Sequence, residues 1–213
     1  MDALPFAAVP FFCAALALAL WQGRAFVLAA PSWRKSAVKT GAVAALAAGL
    51  AVTAPEGPAA LILWGLIAGA AGDLALSRPG AGAFLIGMAA FALGHLAYGA
   101  AFFVLGSGAP PLYPALAVTG LAALAAVFIA PRAGALVLPV RLYVGVIWAM
   151  VLAALTVADP RLVAGALLFM ASDFLLALAL FVLPEGRWQR RASVAVWALY
   201  WPAQALIAGS ALG

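Results

Sequence analysis

Along the whole chain, apolar runs of about 18–22 residues alternate with short stretches of proline, glycine and charge. An α-helix needs about 20 mostly apolar residues to cross a bilayer. The pattern therefore predicts helices over 4–21, 37–54, 59–77, 83–105, 112–130, 135–157, 161–183 and 192–211. The breaks are punctuated in the way that ends helices: APEGP, SRPGAG, GSGAPP, APRAG and PEGRWQRR all place proline or glycine between apolar runs. The short alternating strands of a membrane barrel are absent. The expectation is an all-α, polytopic, eight-transmembrane-helix bundle with short loops, forming one domain over 1–213.

Composition agrees with that pattern. The 213 residues are 69% hydrophobic and 8% charged, with a mean hydropathy of +1.19, which no soluble globule of this size matches. The charges then orient the bundle. Arg24, Arg34, Lys35, Lys39, Arg78, Arg132, Arg187, Arg190 and Arg191 flank the odd-numbered loops, whereas the even loops hold only Arg161 among basic residues. Nine against one is a strong positive-inside asymmetry. It predicts cytoplasmic odd loops and both termini outside, in a bacterial inner (plasma) membrane. Trp33 and Trp188 sit beside the basic clusters, as interfacial anchors do. The chain starts with an acidic residue and its first basic residue, Arg24, follows the apolar stretch, so the first helix is read as retained, not as a signal peptide. The basic residues meet anionic lipid heads, and no nucleic-acid partner is expected from the net charge of +5. A single cysteine, Cys13, and a single histidine, His95, leave no internal disulfide and no multi-histidine metal site.

Against this apolar background, two carboxylates stand out. Asp73 lies in LILWGLIAGAAGDLALS and Asp173 in LVAGALLFMASDFLLALALF. An aspartate within the hydrocarbon costs about 2.5–3.5 kcal/mol on insertion scales, so it normally faces a bundle interior and serves a function. Each falls 12–15 residues into a helix running the same way, about 18–22 Å down at 1.5 Å per residue. They are four helices apart, as a parallel 4+4 repeat would place them. The two carboxylates are expected to face one cavity, within about 10 Å of each other. Arg141, Tyr143, Tyr200 and Ser172 fall at similar depth, and His95, Tyr98 and Gln204 lie somewhat deeper. His95 and Tyr98 share a helix face, as do Tyr200 and Gln204. Gly65, Gly69 and Gly72 would let a neighbouring helix approach closely. Each polar residue has a structural alternative. Either aspartate would serve equally as an ion-pair partner of Arg141 that locks helices together. His95 and the tyrosines would be packing residues, Ser172 would bond its own helix, and Lys39 would snorkel to the interface.

The same residues carry a family resemblance. Gly72 and Asp73 are followed by Phe84, Gly87, Phe91, His95 and Tyr98. Gly165, Ala166, Phe169, Ser172 and Asp173 come next, and Tyr200 (or Trp201) with Gln204 closes the series. In order, spacing and membrane context this set resembles the YhhN-like lysoplasmalogenase family. Lys39 stands where that family has a lysine followed by proline; here Thr40 follows. The resemblance implies a membrane hydrolase of lysophospholipids that bear a vinyl ether. It would release a fatty aldehyde and a glycerophospho-alcohol, such as glycerophosphoethanolamine or glycerophosphocholine, with no metal or organic cofactor.

Paired carboxylates suit that reaction. A vinyl ether yields to acid: protonation at its β-carbon makes an oxocarbenium ion, which water captures as a hemiacetal. Such a site needs one carboxyl that keeps its proton and one ionised group to stabilise the cation, a division familiar from glycosidases. Asp73 and Asp173 are the expected catalytic residues. His95, Tyr98, Tyr143, Tyr200, Ser172 and Gln204 would orient them, and Lys39 and Arg141 would hold the substrate phosphate. The partners expected are the lysophospholipid substrate and membrane lipid. The rival reading is a proton-coupled transporter or lipid-translocating protein in which the carboxylates relay protons.

Overall fold

The computed structural model describes residues 5–212. Residue 4 of the first predicted helix, and the extreme termini on which the signal-peptide and terminal readings rest, lie outside the described residues. The described chain is helical throughout, without strands. Its α-helices are α1 (Val9–Trp21), α2 (Trp33–Ala51), α3 (Gly57–Leu76), α4 (Ala81–Leu105), α5 (Leu112–Leu124), α6 (Val137–Ala154), α7 (Pro160–Phe181) and α8 (Arg187–Ser210).

Starts and stops follow from local chemistry. Ser32 caps α2 by accepting from the Lys35 amide at 3.2 Å. Asp159 caps α7 by accepting from the Arg161 amide at 2.8 Å, and Pro160 occupies the first helical position, where its missing N–H costs nothing. Two helices begin four or five residues earlier than the apolar pattern predicts: α2 at Trp33 instead of 37, and α8 at Arg187 instead of 192. Hydropathy marks the lipid-buried part of a helix, and both helices continue through their charged ends. At those ends the Arg78 guanidinium lies 3.9 Å from the Trp33 ring centroid, and Arg187 and Arg191 flank the Trp188 ring at 5.1 and 5.2 Å.

The count of eight crossings does not follow from length and composition alone. Among the described residues, six helical stretches are long and apolar enough to cross a membrane, and one of these is the single 43-residue run Leu112–Ala154. The predicted break at APRAG is where the chain turns. A π-helical turn (Ala125–Ile129) and a 3₁₀ stretch (Ala130–Leu136) carry the chain round a corner, with Gly134 at φ 59°. A straight helix of that length would measure about 64 Å, twice the hydrocarbon thickness. Instead it doubles back, because the Trp148 indole N–H reaches the Thr119 hydroxyl at 3.0 Å. The α2 helix is not among the six. It has three cations in its first seven residues, yet Val43, Leu46 and Leu50 are fully buried in the bundle.

Helix α3 packs most extensively on α4, and α7 on α8. The glycine stripe of α3 serves a purpose beyond close helix approach. A Cβ at Gly65 would fall on the Tyr98 ring, one at Gly69 would lie 2.7 Å from Gln204 Nε2, and one at Gly72 would lie 2.6 Å from Phe91 Cδ2. The stripe is thus a seat for side chains from α4 and α8. Gly165 performs the same service for Ile207 across α7 and α8.

Candidate active site

Both aspartates line one cavity of about 330 Å³ toward the arginine-rich end of the bundle. Its walls come from the turn after α1 and from α2 to α8. One part is polar: Lys35, Lys39, Asp73, Gln22 and Ser77. Another is apolar: Leu121, Ala125, Val144, Ile147, Phe174 and Phe84. A cavity lined by charged and polar groups together with many apolar side chains matches an amphiphile better than a compact polar metabolite.

Asp73 is fully buried. Its Oδ1 meets Lys39 Nζ at 2.9 Å, and its Oδ2 accepts from the Tyr200 hydroxyl at 2.7 Å. Behind Tyr200 the chain of bonds continues. Gln204 Nε2 donates to the Tyr200 oxygen at 3.3 Å, and the Tyr98 hydroxyl donates to Gln204 Oε1 at 2.5 Å. The two glycines Gly65 and Gly69 leave the space this chain occupies. A buried carboxylate with a cation at contact distance and a phenol on its other oxygen has the partners that an anion needs.

Asp173 has different company. Its Oδ2 accepts from the Tyr143 hydroxyl at 2.8 Å, and His95 Nε2 lies 3.6 Å from the same oxygen. The other imidazole nitrogen settles the proton count. His95 Nδ1 is 2.6 Å from the Phe91 carbonyl oxygen, which can only accept, so Nδ1 carries a hydrogen. A neutral imidazole then points the Nε2 lone pair at a carboxyl oxygen. Nε2 is buried and has no hydrogen bond among the described residues. Lone pair against carboxylate is repulsive, so one proton belongs between them, on the carboxyl or on the imidazole.

Aromatic edges hold the two units in one block. The Phe169 ring lies 4.5 Å from His95 and 5.3 Å from Tyr200, and Phe91 packs on Tyr200 at 5.7 Å. The structure thus gathers Asp73, Asp173, Lys39, Tyr143, Tyr200 and Ser172 on the cavity wall, with His95, Tyr98 and Gln204 directly behind them.

Several expectations need correction. Lys39 is the counter-ion of Asp73, not a free phosphate ligand. Arg141 pairs with neither aspartate and does not line the cavity. Exposed, it donates to the Ala126 carbonyl at 3.2 Å, a group that the π-helical turn leaves available. Ser172 donates to the Val196 carbonyl of α8 at 3.1 Å, tying α7 to its neighbour, not to its own helix. Sequence reasoning passed over Gln22, Lys35, Phe91 and Phe169 as site components. For Lys35 a signal was present: it stands four residues before Lys39, on the same face of α2.

The model of the YhhN family matches residues 34–211. That span contains both aspartates, Lys39, His95 and the three site tyrosines, and excludes α1. No curated protein and no solved structure matches the chain. The chain belongs to the YhhN family and is a multi-pass membrane protein.

Proposed function

We propose that this protein is an integral-membrane hydrolase that cleaves the vinyl-ether bond of lysoplasmalogen-type lysophospholipids. The reading includes eight crossings, with α2 and both halves of the Leu112–Ala154 run as spans, the arginine-rich end in the cytoplasm and both termini outside. The observation that supports it best is the unequal company of two aspartates in one amphiphile-shaped cavity.

Acid hydrolysis of a vinyl ether needs a donor and an anion, and the site offers one of each. Asp173 holds the proton, because a neutral carboxyl beside a neutral imidazole avoids a separated charge pair in apolar surroundings. It protonates the β-carbon, and the double-bond electrons form the new C–H bond. The resulting oxocarbenium ion is stabilised by the Asp73 carboxylate, which Lys39 and Tyr200 hold in place. Water adds to the cationic carbon and its proton returns to the ionised Asp173. The hemiacetal then collapses: its hydroxyl proton passes to the departing glycerol oxygen, leaving aldehyde and glycerophospho-alcohol. One water is consumed and the carboxyl is restored. Tyr143 and His95 position Asp173 throughout.

Purified protein incubated with a lysoplasmalogen and with its saturated ether analogue tests the proposal. Aldehyde is expected from the first substrate only. Aldehyde from neither, with both lipids bound, would turn the reading toward lipid translocation.

A further inference from the structure

We infer that Lys35 is the binding residue for the phosphate of the lipid headgroup, one helical turn from the reacting pair, and that Gln22 completes this polar pole; the inference rests on the lysophospholipid reading above. Lys35 and Lys39 both line the cavity, four residues apart on one face of α2. Like charges at that spacing repel. Lys39 is neutralised by Asp73. Lys35 is not neutralised. Its ammonium reaches only backbone carbonyls, Ala29 at 2.6 Å and Val27 at 3.5 Å, and meets no carboxylate among the described residues. It also stands in the first turn of α2, where the helix dipole is positive and a cation is unfavourable. An anion seated there would relieve all three conditions at once.

A second, independent feature lies on the same pole. Gln22 is 2% exposed, lines the cavity, and its Oε1 has no donor among the described residues. It opens the π-helical turn after α1, Gln22–Phe26, the irregular backbone whose continuation Lys35 braces. A buried amide oxygen without a donor is costly and asks for a ligand group able to donate. The ligand class that offers an anion and a neighbouring donor is a glycerophosphate with a free hydroxyl.

The spacing agrees. Lys35 and Lys39 are separated along α2 by about 6 Å. The glycerol backbone between phosphorus and ether oxygen spans roughly 6 Å when extended at ordinary bond lengths. With phosphate at Lys35, the ether lies level with Lys39 and its partner Asp73, and the hydrocarbon chain runs toward the apolar pole.

The test compares binding of two non-hydrolysable ligands to the full-length protein: a saturated 1-alkyl lysophospholipid and the phosphate-free 1-alkylglycerol. Lys35→Gln is expected to weaken the lysophospholipid by at least about tenfold while leaving the alkylglycerol within about twofold, and Lys35→Arg should retain most of the affinity. Equal losses for both ligands, or no loss, would overturn the assignment. Inorganic phosphate at millimolar concentration should not displace the lipid; displacement would mark a free-anion site instead. Should Lys35→Gln not fold, the wild-type protein still decides, since it must prefer the lysophospholipid and lose that preference as salt is raised. Because these ligands are not turned over, a failure of the hydrolysis proposal appears separately, as absent aldehyde release with intact phosphate preference.

Discussion

Asp73 lies on α3, which packs on α4, and Asp173 on α7, which packs on α8, yet their surroundings differ in kind. Asp73 is sealed, with an ammonium on one oxygen and a phenol on the other. Asp173 has 11% of its side chain exposed, and the His95 imidazole and the Tyr143 phenol share one of its oxygens. The residue type is the same, but in the proposed reaction the first stays charged and the second holds the proton. What a carboxylate does in a membrane is set by the three or four groups within reach of it, and these come from helices far away in sequence.

The largest expected effect tests that asymmetry directly. Asp173→Asn removes the exchangeable proton while keeping the shape and the Tyr143 contact. Turnover should fall by about 10²–10⁴-fold, the range for a general acid, with the protein still folded and lipid affinity nearly unchanged. Asp73→Asn should also lose activity, and the two losses should not multiply in the double variant, because both groups serve one transition state. Near-wild-type hydrolysis by Asp173→Asn would reduce that residue to a structural role.

Next in size is the ion pair. Lys39→Met leaves a fully buried carboxylate without its cation, an error that typically costs about 3–5 kcal/mol. Thermal unfolding in detergent should shift sharply downward. The shift should be largely reversed by adding Asp73→Asn, which removes the orphaned charge. No comparable rescue is expected around Asp173, whose neighbours His95 and Tyr143 bear no fixed charge. If Lys39→Met proves as stable as wild type, Asp73 is not held as an anion and the comparison collapses.

How far the sequence foretold this comparison depends on the kind of information. Insertion physics makes the helices and the two aspartates legible, because apolar length and a carboxylate in hydrocarbon are local signals. Partner choice is not local. Lys39 reads as an interfacial lysine until α2 is packed against α3, and Arg141 reads as the obvious buried cation until its face of α6 turns outward. The corner at Gly134 is legible as a break, because Pro–Arg–Ala–Gly interrupts the apolar run, but the π-helical and 3₁₀ turns that build it are not a local signal. The tautomer of His95 depends on the Phe91 carbonyl one turn earlier, a contact that only the rotamer decides.

A smaller effect separates the seat from the site. Gly65→Ala drives a methyl group into the Tyr98 ring, which must move and drag Gln204 away from Tyr200. Overpacking of this kind typically costs about 1–3 kcal/mol. The melting temperature should drop, with a loss of turnover well below that of either aspartate variant. Adding Tyr98→Ala, which vacates the seat, should recover part of the stability. Because the chain Tyr98–Gln204–Tyr200 ends on Asp73 and not on Asp173, the residual turnover should show weakened cation stabilisation: kcat lowered, with KM for the lysolipid unchanged.

The smallest expected effect belongs to Arg141. By depth alone it is as good a partner for either aspartate as Lys39, so it provides the control that gives the Lys39 result its meaning. In the structure it is exposed and bonded to the Ala126 carbonyl, beyond the cavity wall. Arg141→Gln keeps a donor for that carbonyl and removes only a solvated charge, whose interactions are screened. Hydrolysis of the lysoplasmalogen should stay within about twofold of wild type, and the melting temperature should barely move, since surface substitutions usually stay within about 0.5 kcal/mol. A loss approaching that of Lys39→Met would mean that the guanidinium reaches the aspartates during turnover. Asp73 would then no longer be the only carboxylate of the two with a fixed cation, and the division of labour would have to be reassigned.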